Sequence, residues 1–346
     1  MIFALMLSVG YSGATSRPEP APDRFVAYAR LSEQAEQAAW RMGLPAPGQM
    51  LHVLVQLRTP PLALAGSGAA AVAAITQAQD ALAELIVANG GREIGRLNTV
   101  TAALAVQIDS AQLSALRAHP AVLAVLPIND YATTQASGAD TLTLAELNTL
   151  IGSNEVRRLF ANTGQGVDLA VVDSGVDYTH RKLGGPGTGD SYFRAYCGGA
   201  LLRPGDPACD PSIDPPLDLF PNAKVRGGYD YLGDVWPAPD ARCLNGPVCI
   251  FPDRNPIDGS GHGTHVADIA AGRPLSADGS DAGVAPGANV WAFKACNGDS
   301  ALCEGTALLL AIDHALDLDG SNRGRCRPDL ARSAPPSIRP ILLCCR

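Results

Sequence analysis

The segment Val167-Asp-Leu-Ala-Val-Val-Asp173, followed directly by Ser174-Gly175, decides the fold of the second half of the chain. A continuous apolar run that ends in a turn is typical of a strand buried on both faces of a parallel sheet. Downstream we predict strands over 223–232 and 289–295, and helices over 261–272 and 305–318. Strands that alternate with helices predict an α/β fold with a parallel sheet covered on both faces.

A second motif reads Gly259-Ser-Gly-His262-Gly-Thr-His265-Val-Ala-Asp-Ile-Ala-Ala-Gly272 and opens the first of these helices. Asp173 would stand at the carboxyl end of its strand, where the active sites of open parallel sheets form. A serine hydroxyl becomes nucleophilic when an imidazole takes its proton and a carboxylate orients that imidazole. We therefore predict that Asp173 and His262 are catalytic, and that His265 is a hydrogen-bonded structural residue pointing toward the sheet.

Zinc binding is an alternative for the same residues, because two histidines and a carboxylate can hold this metal. Zinc sites on helices usually place histidines at positions i and i+4. His262 and His265 are three residues apart. We therefore expect no metal ligands here.

Residues 50–130 form a separate predicted unit. Alternating apolar residues predict strands over 51–57 and 100–108, and an Ala-rich helix over 69–89 ends at Gly90-Gly91. Strands over 92–97 and 121–126 and a short helix from Ser110 complete the order β-α-β-β-α-β of a ferredoxin-like α+β fold. The helix residues expected to face inward are Ile75, Leu82, Leu85 and Ile86. No titratable cluster occurs in this unit, which indicates a binding module.

The remaining segments differ in composition. Residues 1–16 begin with an apolar run and contain the small-x-small site Ser12-Gly-Ala14, which predicts a signal segment without a basic n-region. Residues 17–49 are a Pro-rich linker with a short helix over 31–42, and residues 131–152 are a polar connector. Residues 174–258 contain a long Pro- and Cys-rich insertion, in which we expect little regular structure besides the strand over 223–232.

Charge and cysteine content bound the function further. The formal net charge of −8 argues against a nucleic-acid partner. Three close cysteine pairs predict local disulfides in an oxidising compartment, with unpaired thiols in a cytosolic protein as the alternative; the pairs are Cys197/Cys209, Cys243/Cys249 and Cys296/Cys303. With the signal segment they predict secretion, and no other segment approaches a membrane span, so we expect no membrane partner.

The two motifs, in this order, resemble those of the subtilisin-like serine peptidases. Gly164-Gln-Gly-Val-Asp-Leu-Ala-Val-Val-Asp173 resembles the entry strand of that family. Gly283-Val-Ala-Pro-Gly-Ala-Asn-Val-Trp-Ala-Phe-Lys-Ala295 resembles the strand after its histidine helix. The unit at 50–130 is similar in pattern to the family's propeptide, which is an intramolecular chaperone and inhibitor. The resemblance covers roughly residues 50 to 319.

The resemblance implies that residues 153–319 are the first part of a subtilisin-like catalytic domain. Asp173 would orient the base, and His262 would be the general base and acid. The loop 297–303, with Gly298, Asp299 and Ser300, would form part of the substrate-binding edge, to which a peptide adds as a β-strand. Ca2+ commonly supports this family, but no spacing defines a site among the aspartates of the insertion, which are Asp206, Asp210, Asp214, Asp218, Asp230 and Asp234.

The family also needs an oxyanion-hole asparagine and a nucleophilic serine in Gly-Thr-Ser-x-Ala, about 90 and about 160 residues after the histidine. Neither motif occurs among the 84 residues that follow His262. From about Gly320 the apolar periodicity ends in a basic tail, 320–346, with six arginines and three cysteines. Residues 326–332 can be encoded by codons that, in the reading frame shifted by one base, translate as Val-Asp-Leu-Ile-Ser-Leu. This sequence is similar to the family's next strand. We therefore expect a frameshift near codons 320–326, with a genuine divergent terminus as the alternative.

These observations predict the precursor of a serine endopeptidase for protein or peptide substrates, with the propeptide as its intramolecular partner. Because the serine and the oxyanion asparagine are missing, we expect this chain to be inactive. The alternative is a non-catalytic inhibitor or chaperone that uses the 50–130 module on another protease. Metal-dependent hydrolysis is a third hypothesis.

Overall fold

The structure, a computed structural model, describes residues 22–41, 43–132, 142–199, 202–234, 236, 250–297 and 302–317. A four-stranded sheet and a three-stranded sheet organise the two halves of this part of the chain. Several predicted features lie outside the described residues, namely the signal segment, the Cys243/Cys249 pair, Gly298, Asp299 and Ser300 of the substrate edge, and the tail 320–346.

The first half has the predicted order β-α-β-β-α-β. Its elements are α1 Pro22–Ala39, β1 Met50–Leu57, α2 Leu62–Ala65, α3 Ala69–Ala88, β2 Arg92–Leu97, β3 Ala103–Asp109, α4 Leu113–Arg117 and β4 Val122–Pro127. The strands lie in the order β2-β3-β1-β4, and each neighbouring pair is antiparallel. This is the ferredoxin-like arrangement, and α1 begins well before the short helix predicted over 31–42.

One face of this sheet packs against α3. Val53, Val55 and Leu57 are fully buried, and from α3 they meet Ile75, Leu82 and Ile86. Leu85, which we predicted to face inward, is exposed. Gln79 takes a buried position in the stripe instead, and its Nε2 donates to the carbonyl oxygens of Leu97 and Ala103 at 3.0 and 3.1 Å. A hydrogen-bonded polar residue therefore completes this helix face, which an apolar pattern alone does not reveal.

By length and composition, α3 is the single described helix that could cross a membrane, whereas the sequence analysis expected none. In the structure its apolar stripe is buried on the four-stranded sheet, as in the core helix of many globular proteins. Length and apolar composition are therefore weak support for a membrane span here.

The opposite face of the same sheet is also buried, although the alternation over 100–108 predicted one buried face. Ala103 and Ala105 are fully buried and belong to a second core that includes Phe293, Leu310 and Ala311. This face packs against a helix more than 200 residues later in the chain, so the sequence around β3 gives no sign of the contact.

The second half contains the predicted parallel sheet. Its elements, with the short strand that precedes them, are β5 Tyr131–Ala132, α5 Leu144–Leu150, α6 Ser153–Phe160, β6 Asp168–Asp173, α7 Gly189–Cys197, β7 Val225–Asp230, α8 His262–Ala271, β8 Asn289–Lys294, β9 Cys296–Asn297, β10 Leu302–Cys303 and α9 Gly305–Ala315. The strands lie in the order β6-β8-β7, and both pairs are parallel. The parallel α/β prediction is confirmed.

Two segments contain helices that the sequence analysis missed. The connector over 131–152 contains α5, which starts with a capping box between Thr143 and Glu146. The insertion contains α7, which starts with a capping box between Thr188 and Ser191. Short helices of this kind depend on their caps, because they have little apolar periodicity.

Helix α9 lies between the two larger sheets, so it is buried on more than one side. Its buried residues are Gly305, Thr306, Ala307, Leu310, Ala311 and Ala315. A Cβ on Gly95 of β2 would lie 2.9 Å from Leu310, which shows how closely the first sheet approaches this helix.

A third, small sheet joins the two halves in the order β5-β10-β9. β10 pairs with both neighbours in antiparallel register, with Tyr131 opposite Cys303 and Ala132 opposite Leu302. The Cys296–Cys303 disulfide closes the hairpin of β9 and β10. It and the Cys197–Cys209 disulfide correspond to two of the three predicted cysteine pairs.

Candidate active site

Asp173 and His262 lie together, as the two motifs predicted. Nδ1 of His262 is 2.7 Å from Oδ1 of Asp173, within hydrogen-bond distance. Asp173 is the last residue of β6, and His262 is the first residue of α8. The parallel sheet therefore brings a carboxylate and an imidazole together across 89 residues of chain.

The hydrogen-bond pattern fixes the tautomer of the imidazole. Oδ1 of Asp173 also accepts a hydrogen bond from the backbone N–H of Ser174 at 2.7 Å, so this oxygen is an acceptor. Nδ1 of His262 then donates to this oxygen, and in the neutral imidazole the lone pair lies on Nε2. Among the described residues, no group is hydrogen-bonded to Nε2. The side chain of His262 is 27% exposed, so Nε2 can serve as a base for a group brought to it.

Two glycines allow β6 and α8 to approach this closely. A Cβ on Gly263 would lie 2.1 Å from the carbonyl oxygen of Gly175 and 3.1 Å from Cβ of Asp173. Gly175 itself has a φ of 105°, and a Cβ there would lie 2.6 Å from the carbonyl oxygen of Pro256. Gly263 is therefore a steric requirement of the approach of α8 to the end of β6, and Gly175 is one of the turn that follows β6.

Asp258 organises the loop before His262, and sequence reasoning missed it. Its Oδ1 accepts hydrogen bonds from Ser174 Oγ, Ser260 N and Gly261 N at 3.0, 2.8 and 2.9 Å. Its Oδ2 accepts from Thr264 N and Oγ1 at 2.9 and 2.6 Å. A carboxylate at this place also interacts favourably with the positive N-terminal end of the α8 helix dipole. Asp258 lies four residues before His262 in a glycine- and serine-rich loop, and that spacing was the available signal.

His265 does not have the role that we predicted. It is exposed rather than directed at the sheet, and no hydrogen bond from its ring to another described residue is present. His265 instead lines a surface cavity with Asp177 and Asp258.

A separate group of three carboxylates is the best candidate for a metal. Ligand oxygens of Asp230, Asp234 and Asp253 lie within 4.8 Å of one another, so two of the six aspartates considered for Ca2+ meet here. However, Nζ of Lys294 is 3.1 Å from Oδ2 of Asp230 and also contacts Asp234. Burial, with nearby Asp230, raises the pKa of Asp253 to about 9, so this carboxyl keeps a proton at neutral pH. An ammonium group and a proton thus offset two of the three negative charges, and the cluster that remains does not fit a calcium site.

The substrate edge predicted over 297–303 is described in part. β9 and β10 flank Gly298, Asp299 and Ser300, which themselves lie outside the described residues. β10 already pairs on its other side with Tyr131 and Ala132 of β5. A strand of this same chain therefore adds to the edge in the manner expected of a peptide.

Comparison with known proteins relates this part of the chain to a known family. Residues 164–323 match the sequence model of the Subtilase family, and the matched segment includes Asp173 and His262. The chain is 27% identical over 148 residues to "Subtilisin-like protease SBT2.2" of Arabidopsis thaliana, which covers 39% of this chain and 15% of that protein. It is 28% identical over 156 residues to "Thermophilic serine proteinase" of Bacillus sp. (strain AK1), which covers 44% of this chain and 25% of that protein. The chain thus spans a quarter or less of the length of these two relatives.

Proposed function

Because the chain belongs to the subtilase family through residues 164–323, we propose that it is the precursor of a secreted serine endopeptidase. In this proposal Asp173 and His262 are two members of an Asp-His-Ser triad. The observation that carries it is the 2.7 Å contact between Asp173 Oδ1 and His262 Nδ1 at the carboxyl end of a parallel strand. The two disulfides support an oxidising, extracellular compartment.

The proposed chemistry follows from the tautomer of His262. Nε2 takes the proton of an attacking serine hydroxyl, and the resulting imidazolium is stabilised by Asp173. The same imidazolium then gives its proton to the departing amine. The sequence contains no Gly-Thr-Ser-x-Ala motif to supply that serine. We therefore propose that the 346-residue polypeptide by itself does not hydrolyse peptide bonds.

We assign the first half of the chain the role of a propeptide. Three backbone N–H groups that follow β2 bind one carboxylate of α9: Oδ2 of Asp313 accepts from Asn98 N at 2.9 Å, and Oδ1 accepts from Thr99 N and Val100 N at 2.9 and 3.0 Å. At the other end of α9, Oδ1 of Asp130 accepts from Gly305 N at 3.2 Å. Because these bonds add to the shared apolar core, the first half stabilises α9 as a folding chaperone would.

The short strand β5 supports an inhibitory role for the same segment. It occupies the free side of β10, where a substrate strand would pair in the proposed enzyme. Because Asp130 and Tyr131 directly follow the four-stranded unit, the unit anchors this strand in place. The propeptide would therefore block the edge until it is removed.

The alternative function is a non-catalytic inhibitor or chaperone of another protease. The observation that favours it is the missing serine motif, combined with a fully formed four-stranded unit. In that case Asp173 and His262 would be structural remnants, and the full chain would slow a separate subtilase in a kinetic assay.

A fluorophosphonate probe tests the proposed inactivity, since it labels only an activated serine. We expect the purified 346-residue chain to show neither labelling nor peptide hydrolysis. Labelling that is lost in His262→Ala would overturn the proposed inactivity and would support the triad. The coding DNA downstream of the Ala311 codon tests the peptidase assignment itself. A shifted frame that contains the asparagine and Gly-Thr-Ser-x-Ala supports it, and inhibition of a separate subtilase without any such frame supports the alternative.

A further inference from the structure

A cavity of about 440 Å³ opens beside the N-terminal end of α8, and the mechanism above does not use it. Its lining includes the side chains of Asp177, His180, Tyr192, Asp258, His265 and Asp268. Residues 259–261 also line it, and they directly precede His262. The cavity is therefore adjacent to the loop that leads into the proposed catalytic base. Here it is called the acidic cavity.

The charges around the acidic cavity are predominantly negative. Three aspartates line it, and no lysine or arginine is among the lining residues that the structure describes. Nζ of Lys182 binds Asp268 Oδ2 at 3.1 Å and the carbonyl oxygen of Asp281 at 2.6 Å. Lys182 thus offsets Asp268, whereas no described lysine or arginine forms an ion pair with Asp177 or Asp258.

Asp177 has one carboxylate oxygen, Oδ2, that accepts no hydrogen bond from the neighbouring described residues. Its Oδ1 accepts both hydrogen bonds from Thr179, from N at 2.9 Å and from Oγ1 at 2.6 Å. Within the described segments, no donor bonds to Oδ2 of Asp177. Two buried atoms of the lining also have no partner there, Nδ1 of His180 and Oδ1 of Asp268. Buried polar atoms of this kind are normally satisfied by a ligand or by water.

The shape and chemistry fit an organic cation better than a metal ion. Among the described residues, one group of three side chains could hold a metal ion. It consists of Asp230, Asp234 and Asp253, which do not line the acidic cavity. The acidic cavity is also much larger than one ion requires. The ring of Tyr192 lines it and stacks on Tyr196 with centroids 5.7 Å apart, so one rigid aromatic face is available to a guanidinium or ammonium group.

We propose that the acidic cavity is a specificity subsite for a lysine or arginine side chain of the peptide substrate, next to the scissile bond. This inference rests on the proposed peptidase function. Asp177 pairs with the cation, and Asp258 adds negative potential while it keeps its five hydrogen bonds in the loop. Substrates with a basic residue at this position are then preferred over neutral ones of the same size.

The test compares short peptides that contain arginine with the same peptides that contain citrulline, its neutral isostere, at each position in turn. Because β5 occupies the edge of β10 in the full chain, the peptides are tripeptides that do not need this edge, and their binding to the full chain is measured by calorimetry. At one position we expect about tenfold tighter binding of the arginine peptide, the size of one partly desolvated charge pair. Asp177→Asn should abolish this preference, because Asn keeps the Oδ1 acceptor for Thr179 but loses the charge. Asp278→Asn is the matched control, since exposed Asp278 accepts the same two bonds from Ser280.

A second measurement does not depend on peptide binding. Arginine amide is titrated into the full chain while the imidazole signals of His180 and His265, assigned with His180→Gln and His265→Gln, are followed by NMR. Shifts that Asp177→Asn weakens severalfold would support the acidic cavity even if no peptide bound and the peptidase assignment failed. Equal binding of arginine and citrulline peptides, with no response of these signals to arginine amide, would overturn the proposal. A response to Ca2+ alone would overturn it as well.

Discussion

Ser174 donates a hydrogen bond from its hydroxyl to Oδ1 of Asp258 over 3.0 Å, which ties the end of β6 to the loop before α8. The same hydroxyl accepts a hydrogen bond from the backbone N–H of Gly263 at 3.0 Å. Ser174, the residue after Asp173, is thereby joined to Asp258 before His262 and to Gly263 directly after it. Ser174 is 3% exposed, so water does not replace these bonds easily.

Ser174→Ala should therefore destabilise the fold by about 1–3 kcal/mol, because it leaves a buried N–H without its acceptor. The free energy of unfolding, measured in urea, checks this. Ser260→Ala is the control, since Ser260 is exposed and bonds to Asp258 through its backbone N–H. Equal stability of the two variants would show that the Ser174 hydroxyl contributes nothing at this junction.

Gly263→Ala should cost more than about 2 kcal/mol, because the new methyl group would meet the carbonyl oxygen of Gly175 at 2.1 Å. Strand and helix must separate to accept it, and the Asp173–His262 contact would lengthen. Gly68→Ala is the matched control, since Gly68 has an ordinary φ of −67° and nothing within 4 Å of the added carbon. Thermal unfolding of both variants is the measurement. If Gly263→Ala and Gly68→Ala have the same melting temperature, the close approach of strand and helix is not a requirement of the fold.

The features that the sequence predicted well are local ones. The apolar run before Asp173 and the glycines around His262 determine a strand end and a helix start, and the structure brings these two residues together at 2.7 Å. The alternation over 51–57 likewise predicts β1, because the pleat of a strand has a period of two.

The features that it missed depend on distant partners or on single polar residues. Ala105 is buried on the second face of β3 because α9, about 200 residues later, packs near it. Gln79 can be buried because its amide nitrogen donates hydrogen bonds to the carbonyl oxygens of Leu97, at the end of β2, and of Ala103, at the start of β3. Asp258 acts through five hydrogen bonds to residues on both sides of the site, and no periodicity marks such a residue.

Asp313 links the two halves of the chain, so its removal should weaken both. Asp313→Ala leaves the N–H groups of residues 98–100 without their acceptors and should cost about 3 kcal/mol. Asp313→Asn should fall between this variant and the native chain, because one oxygen still accepts while the amide group opposes Asn98 N. Chemical unfolding at constant pH gives the order, with exposed Asp278→Ala as the control. An Asn variant as unstable as the Ala variant would mean that the charge, rather than the acceptor, is what matters.

His52 should make the fold sensitive to acid. It is 8% exposed on β1, and neither ring nitrogen has a hydrogen-bond partner among the described residues. Burial, with a contribution from Arg92, lowers the pKa of His52 from 6.5 to about 4. The unfolded chain therefore takes up a proton before the folded chain does, and stability is lost as the pH falls from about 6.5 to about 4, by at most about 3 kcal/mol.

His52→Leu should remove this loss while keeping the stability at pH 7, since no partnered atom is deleted. Melting temperatures between pH 7 and pH 4 test this, with exposed His265→Gln expected to stay as acid-sensitive as the native chain. Parallel pH curves for native and His52→Leu chains would rule out His52 as the acid-sensitive group.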